Sequence, residues 1–186
     1  MANEVADVKA VPLGAFVLGA AVSVALGVYG GVHEGTEQPT FQWFFSGTLE
    51  MKVWFTTVAV VLATVQLLTA LRMYGRISVP AKTPQWFGDL HRLSGTTAFM
   101  VTIPVAYSCL WSFGFNGGHS NTRTLIHSIL GCLFYGAFAA KIFVLRTKPS
   151  PKWVLPMLGG TVFTVLVGLF ATSAVWFWSN SGFPSF

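Results

Sequence analysis

The sequence predicts an all-α fold, a helical bundle with five transmembrane helices. Of its 186 residues, 53% are hydrophobic and only 9% are charged, whereas about 25% of an average soluble domain is charged. The apolar residues also fall into runs of about twenty, the length of helix that crosses roughly 30 Å of hydrocarbon. Helices are expected because a backbone in lipid must satisfy its own hydrogen bonds.

The five predicted spans are separated by short connections, and together they leave no room for a second domain. We therefore predict that residues 1–186 form a single transmembrane domain. The first run is too long for a signal peptide and follows two acidic residues, so we expect it to be retained as a span. The predicted spans cover residues 11–31, 52–71, 87–113, 124–145 and 153–178.

Lysine and arginine are distributed unevenly between the two sides of the predicted bundle. If the N-terminus is cytoplasmic, only Lys52 and Arg123 lie outside. The positive-inside rule then predicts a multi-pass protein with a cytoplasmic N-terminus and an external C-terminus. This distribution accounts for the net charge of +5 without a nucleic acid, so the predicted surroundings are a lipid bilayer. The inner set is Lys9, Arg72, Arg76, Lys82, Arg92, Lys141, Arg146, Lys148 and Lys152.

Small residues recur at every fourth position in three of the spans. Such stripes let helix backbones approach closely in lipid, where packing drives association. They predict close packing within the bundle, against a partner subunit or around a cofactor. The stripes are Ala15, Gly19, Ser23, Gly27 and Gly31; Ser128, Cys132, Gly136 and Ala140; and Gly160, Thr164, Gly168 and Thr172.

Four histidines are the residues most suited to chemistry: His33, His91, His119 and His127. His91 and His127 each lie about one turn inside a predicted span, where an ionisable side chain suggests a function. His33 closes the first span, and His119 lies in a loop. The alternative for each is a structural role, in which the imidazole bonds a backbone carbonyl near a helix end.

Both intramembrane histidines begin the pattern H-x-x-x-G, which ends at Gly95 and at Gly131. A residue four positions on lies on the same helix face, so each glycine predicts a flat slot that suits a haem b macrocycle. Each motif also has a nearby arginine that suits a haem propionate. These are Arg92 and Arg123, which are otherwise explained as anchors at the membrane interface.

Spans three and four run antiparallel, which places His91 and His127 roughly 20 Å apart across the membrane. They therefore cannot ligate one iron. His127 would need an outer partner, for which His33 and His119 are available. His91 would need an inner one, and methionine is an accepted axial ligand. Met73 and Met157 lie at suitable positions, although ordinary apolar packing also explains both.

Several of these motifs together resemble a known family: residues 91–95, 104–107, 114–115, 123–131 and 135–141. The chain is similar there to a little-characterised family of small bacterial multi-pass proteins, typical of actinobacteria. Those proteins look like b-type cytochromes of the ferric-reductase or transmembrane-oxidoreductase sort. The resemblance covers mainly residues 86–146. It implies haem b, electron transfer and a place in the bacterial cytoplasmic membrane.

The chain departs from that family at the position after Tyr107, where the family often has histidine. Here the residue is Ser108, which cannot ligate iron as histidine does. The resemblance implies an outer histidine pair involving this position. In this chain, His33 or His119 would have to replace the missing ligand.

Three functions remain open at this stage. The first is a b-type cytochrome-like electron-transfer protein with membrane or redox protein partners, either on its own or as a subunit of an oxidoreductase. The second is a non-catalytic anchor or assembly subunit of a larger respiratory complex, in which the chain is one member of an oligomer. The third is a small transporter. The sequence has no Walker loop, zincin helix or serine triad, which argues against hydrolysis and phosphoryl transfer.

Overall fold

The computed structural model of the chain describes residues 2–36, 38, 40, 42–115, 121–147 and 150–185, with side chains from residue 11 onward. Five long helices dominate the described residues, and five stretches are long and apolar enough to cross a membrane. The predicted all-α bundle with five transmembrane helices is confirmed. The helices are α1 (Ala2–Val32), α2 (Thr48–Met73), α3 (Phe87–Ser108), α4 (Thr122–Arg146) and α5 (Val154–Phe170).

Two of the helices continue past their α-helical ends through π-helical turns. The first π turn, Cys109–Phe113, extends α3. The second, Ala171–Val175, joins α5 to the short helix α6 (Trp176–Ser181). A π turn inserts one extra residue into the helical hydrogen-bond ladder and is frequent at functional sites. Both turns lie at the same end of the bundle, beside the cavity that is described below.

Some helix ends extend beyond the predicted spans because polar side chains satisfy the terminal backbone groups. Helix α4 begins at Thr122 rather than Thr124. The Asn121 side chain accepts a hydrogen bond from the Thr124 backbone N–H at 2.9 Å, which caps this terminus. Helix α6 ends at Ser181, and Asn180 donates back to the Trp176 carbonyl.

Four helices form a ring in the order α2, α3, α4 and α5. Helix α2 packs along α3, α4 packs along α5, and α5 returns to α2. Side chains close the remaining side of the ring between α3 and α4. The rings of Phe99 and Phe138 stack with centroids 3.8 Å apart, and the Tyr135 hydroxyl donates to the Thr102 carbonyl at 2.9 Å.

Helix α1 lies outside this ring against α4, and small residues set that contact. A Cβ atom at Gly19 would lie 2.9 Å from the Gly136 carbonyl oxygen. The Ser23 hydroxyl donates to the Cys132 carbonyl at 3.1 Å. Two of the three predicted stripes therefore pack on each other within the bundle.

The alternating helix directions give the bundle two ends. We call the end where α1 begins the amino-terminal end and the end where α5 leads into α6 the carboxy-terminal end. The connection between α1 and α2 crosses the carboxy-terminal end. There the Ser112 hydroxyl donates to the Gln38 carbonyl at 2.7 Å, and the Ser46 and Ser185 hydroxyls lie 2.9 Å apart.

Candidate functional site

A cavity of about 330 Å³ lies between the four ring helices at the carboxy-terminal end. Its volume is in the usual range for a small-molecule or cofactor site, about 300–1,000 Å³. The wall is mostly apolar, with a few polar and charged side chains. Its polar members include Lys52, Thr56, Thr102, Cys109, Arg123, His127, Ser128, Cys132, Tyr135 and Ser173.

His127 lines the cavity, and a hydrogen bond between its ring nitrogen Nδ1 and Thr172 holds the imidazole. Its Nδ1 lies 2.8 Å from the Thr172 hydroxyl oxygen. The same hydroxyl lies 2.8 Å from the Gly168 carbonyl oxygen, to which it can donate. In the tautomer with the proton on Nδ1, Thr172 accepts from His127 and Nε2 has the lone pair that a metal needs. This is the usual arrangement of a metal-ligating histidine, whose ring is oriented by an outer partner.

Thr172 also binds Arg123, through its backbone. Thr172 lies in the second π turn, and its carbonyl oxygen accepts a hydrogen bond from Arg123 Nη1 at 2.7 Å. The guanidinium carbon of Arg123 lies 3.8 Å from the centroid of the Trp176 ring, a cation–π contact. Thr172 thus contacts two of the predicted cofactor residues, His127 and Arg123.

The predicted slot beside His127 is present. Gly131 lines the same cavity, and a Cβ atom added to it would meet nothing within 4 Å. Gly131 therefore borders open space in the cavity that His127 also lines. His127, Arg123 and Gly131 were all predicted from one stretch of sequence, and the structure brings them to one cavity.

Lys52 belongs to the same site, although the sequence alone predicts no functional role for it. Its ammonium nitrogen lies 4.4 Å from the centroid of the Phe113 ring, and both side chains line the cavity. In the described part of the chain, the ion pair within 4.0 Å is that of Arg92 with Asp89, and neither Lys52 nor Arg123 has one. The Arg123 Nε atom is buried and has no hydrogen-bond partner among the described residues.

His91 lies at the opposite end, as predicted, and differs from His127 in its surroundings. Its Nδ1 lies 3.1 Å from the Gln66 carbonyl oxygen, which can only accept, so Nδ1 carries the proton. The predicted slot at Gly95 is absent, because a Cβ there would lie 2.6 Å from the Gln66 side-chain carbon Cδ. Gly95 instead gives Gln66 room to pack. Arg92 is exposed and pairs with Asp89, so it does not extend the site.

His33 is placed away from the cavity wall. It stacks between Tyr29 and Trp111, with both ring centroids 5.1 Å away, and its Nε2 lies 3.3 Å from the Trp111 carbonyl oxygen. It is not among the described residues that line the cavity. The predicted pairing of His33 with His127 therefore does not appear here. The other predicted partner, His119, lies outside the described residues.

Ser108, the position at which the chain departs from the family pattern, is fully buried, and its hydroxyl donates to the Pro104 carbonyl at 2.9 Å. The Thr40 hydroxyl, in the connection between α1 and α2, lies 2.8 Å from it. Position 108 is not among the described residues of the cavity wall. In this chain, the position that carries the second histidine in the family pattern therefore lies outside the described cavity wall that His127 lines.

The fold and cavity define the class of this protein: it is a multi-pass membrane protein built as a helical bundle. More specifically, the chain belongs to a family of unknown function (DUF6529), whose model matches residues 11–185. Neither the search of curated proteins nor the search of solved structures found a match. The family description assigns no activity, so the similarity to b-type cytochromes stays a prediction.

Proposed function

We propose that this protein transfers electrons in the membrane and holds one haem b in the carboxy-terminal cavity, with His127 as an axial ligand. The observation that carries the proposal is the position of His127. Its Nδ1 lies 2.8 Å from the Thr172 hydroxyl, and its side chain lines a largely apolar cavity. With the proton on Nδ1, the other ring nitrogen would be the one that ligates iron. A histidine with only a packing role needs no such cavity beside it.

The residues around the cavity fit haem in three respects. His127 supplies a neutral nitrogen ligand, which is common for haem iron. Gly131 leaves a face without a side chain, where a flat ring can approach the helix. Arg123 and Lys52 supply positive charge for propionates. Bound there, haem would carry one electron by cycling between its ferric and ferrous states.

The proposal assigns no haem to the amino-terminal end. The His91 ring, like that of His127, has a hydrogen-bond partner at Nδ1. However, Gln66 fills the space at Gly95, and Arg92 is paired with Asp89. Met73 and Met157, its predicted partners, are both about half exposed, at 45% and 53%. We therefore interpret His91 as a residue that joins α3 to α2 through the Gln66 carbonyl.

The charge distribution supports the orientation that the sequence predicts. We propose a cytoplasmic N-terminus and an external C-terminus, which places the haem cavity on the outer side of the bacterial membrane. The two cations that depart from the positive-inside pattern, Lys52 and Arg123, both line the cavity. A role in the cavity would therefore explain why these two cations lie on the outer side. The donor and acceptor of the electron would be membrane or redox proteins.

The test is the reduced-minus-oxidised absorption spectrum of the protein, purified in detergent from cells supplied with haem precursors. We expect a b-type band and haem in an amount equal to that of the protein. Folded protein without haem would contradict the proposal. If such haem-free protein also purified within a stable larger complex, the role of an anchor or assembly subunit would be favoured instead.

A further inference from the structure

We infer that Lys52 and Arg123 together form a binding site for the carboxylate of an amphiphilic ligand, whose apolar body occupies the cavity. The inference extends the proposed function, because haem is one such ligand, but its experiment can succeed where the haem proposal fails. Three observations carry it: the convergence of the two cations, their lack of acidic partners among the described residues, and the contacts that hold them in place.

The two cations come from different helices and converge on one apolar cavity. Lys52 lies in the first two turns of α2, and Arg123 is in the first turn of α4. Both helices begin at the carboxy-terminal end, so their positive dipole ends add to the charge of the side chains. The wall between them is largely apolar, with leucine, valine and aromatic side chains. An anion in this place would face two full charges and two helix termini.

The cations have no acidic partner in the part of the chain that the structure describes. Two like charges in a poorly solvated cavity repel each other and lose hydration, which is costly within a membrane protein. The buried Arg123 Nε still has a hydrogen to donate. An anionic ligand would offset the repulsion and would also use this free donor.

Aromatic rings hold both cations without using up their hydrogen-bond donors. Trp176 lies against the Arg123 guanidinium, and Phe113 lies against the Lys52 ammonium. Arg123 gives one Nη1 hydrogen bond to the Thr172 carbonyl, which fixes the plane of the guanidinium. A planar guanidinium with free N–H groups can bind a planar carboxylate through two parallel hydrogen bonds.

The experiment compares carboxylates with their esters, because an ester keeps the shape of the ligand and removes its charge. Wild-type protein is purified free of haem and titrated with haemin and with haemin dimethyl ester, followed by absorbance. Oleate and methyl oleate are compared in parallel, by competition with a fluorescent fatty acid. We expect the wild-type protein to bind the acid form more tightly than the ester in at least one of these two pairs.

Variants then locate the anion site. Lys52→Gln and Arg123→Gln should each weaken binding of the preferred acid by about ten- to a hundredfold, the usual effect of losing a hydrogen bond to a charged group, and should leave the ester unaffected. Arg123→Lys should lie between wild type and Arg123→Gln. Lys141→Gln is the matched control, since Lys141 is an intramembrane cation about 21 Å along α4 from His127 and should have no effect.

The outcomes separate the two proposals. A preference for haemin over its ester that is lost in Lys52→Gln supports both. Binding of oleate over methyl oleate without binding of haemin would keep the anion site and exclude the haem proposal. Equal affinity for acid and ester in both pairs would overturn the anion site. This last comparison uses the wild-type protein alone, so it does not depend on the folding of any variant.

Discussion

Thr172 links the two residues that the proposed cofactor would contact. Its hydroxyl lies 2.8 Å from His127 Nδ1, and its carbonyl accepts a hydrogen bond from Arg123. It lies 45 positions from His127 in the sequence. A residue with no catalytic chemistry of its own thus contacts two side chains of the cavity wall.

The variant Thr172→Val tests this positioning role. Valine has nearly the same shape but no oxygen, so His127 Nδ1 would lose its hydrogen-bond partner. We expect haem affinity to fall by about ten- to a hundredfold, the usual effect of removing an outer partner of a ligand histidine. The reduction potential should also shift, and Thr172→Ser should restore both values.

Thr164→Val is the control for that experiment, since Thr164 is an exposed threonine of the same helix, two turns before Thr172. It should leave haem affinity and potential unchanged. If Thr172→Val also left both unchanged, His127 would not depend on this hydrogen bond for its orientation.

The sequence allowed part of this site to be predicted at the level of residues. His127, Arg123 and Gly131 were found because they lie within nine positions on one helix, where helical spacing determines which residues share a face. Thr172 and Lys52 could not be found in that way. The place of Lys52 depends on how α2 packs on α3 and α5. The place of Thr172 depends on how α5 packs on α4 and on a π turn that has no sequence signal of its own.

The pattern H-x-x-x-G occurs in two helices, and its glycine has different surroundings in each. Gly131 opens the wall of a cavity, whereas Gly95 receives the side chain of Gln66. Both glycines stand four positions after a histidine, so the pattern alone predicted a slot at each. The neighbouring helix decides the outcome: α2 presents a long amide side chain to Gly95, and the ring leaves a gap opposite Gly131.

The contact between α1 and α4 depends on a close approach at Gly136. A Cβ atom there would collide with the Gly19 carbonyl oxygen and the Ser23 hydroxyl, so the two helices would have to separate. We expect Gly136→Ala to destabilise the protein by about 1–3 kcal/mol, a typical cost of overpacking. Thermal unfolding of the protein in detergent would show this as a lower Tm.

Gly159→Ala is the matched control for Gly136→Ala. Gly159 is also a glycine inside a spanning helix, but a Cβ atom at Gly159 would meet nothing within 4 Å. Its Tm should equal or slightly exceed that of the wild type, since alanine favours a helix over glycine. Equal Tm values for the two variants would show that α1 does not pack tightly on α4.

In the whole molecule, the odd number of spans places the two termini at opposite ends of the bundle. Each end has one intramembrane histidine, yet the large cavity with paired cations lies at the carboxy-terminal end. The sequence predicted the spans well, because their lengths and apolar composition follow from the thickness of the bilayer. It could not predict the cavity, which arises from the order of the helices in the ring.

The proposed orientation is tested by reporters fused to the C-terminus. A phosphatase that is active only outside the cytoplasm should be active, and a fluorescent protein that folds only in the cytoplasm should be dark. The opposite pair of results would place the cavity on the cytoplasmic side and would contradict the orientation inferred from the lysine and arginine distribution.

The role of His127 as an axial ligand is tested by the absorption spectrum of the variant His127→Gly, recorded with and without added imidazole. If His127 is an axial ligand, this variant should lose the b-type band, and free imidazole should restore it by entering the space that the side chain leaves. His91→Gly should keep the wild-type band. A wild-type band and full haem content in His127→Gly without imidazole would contradict the assignment of haem to this cavity.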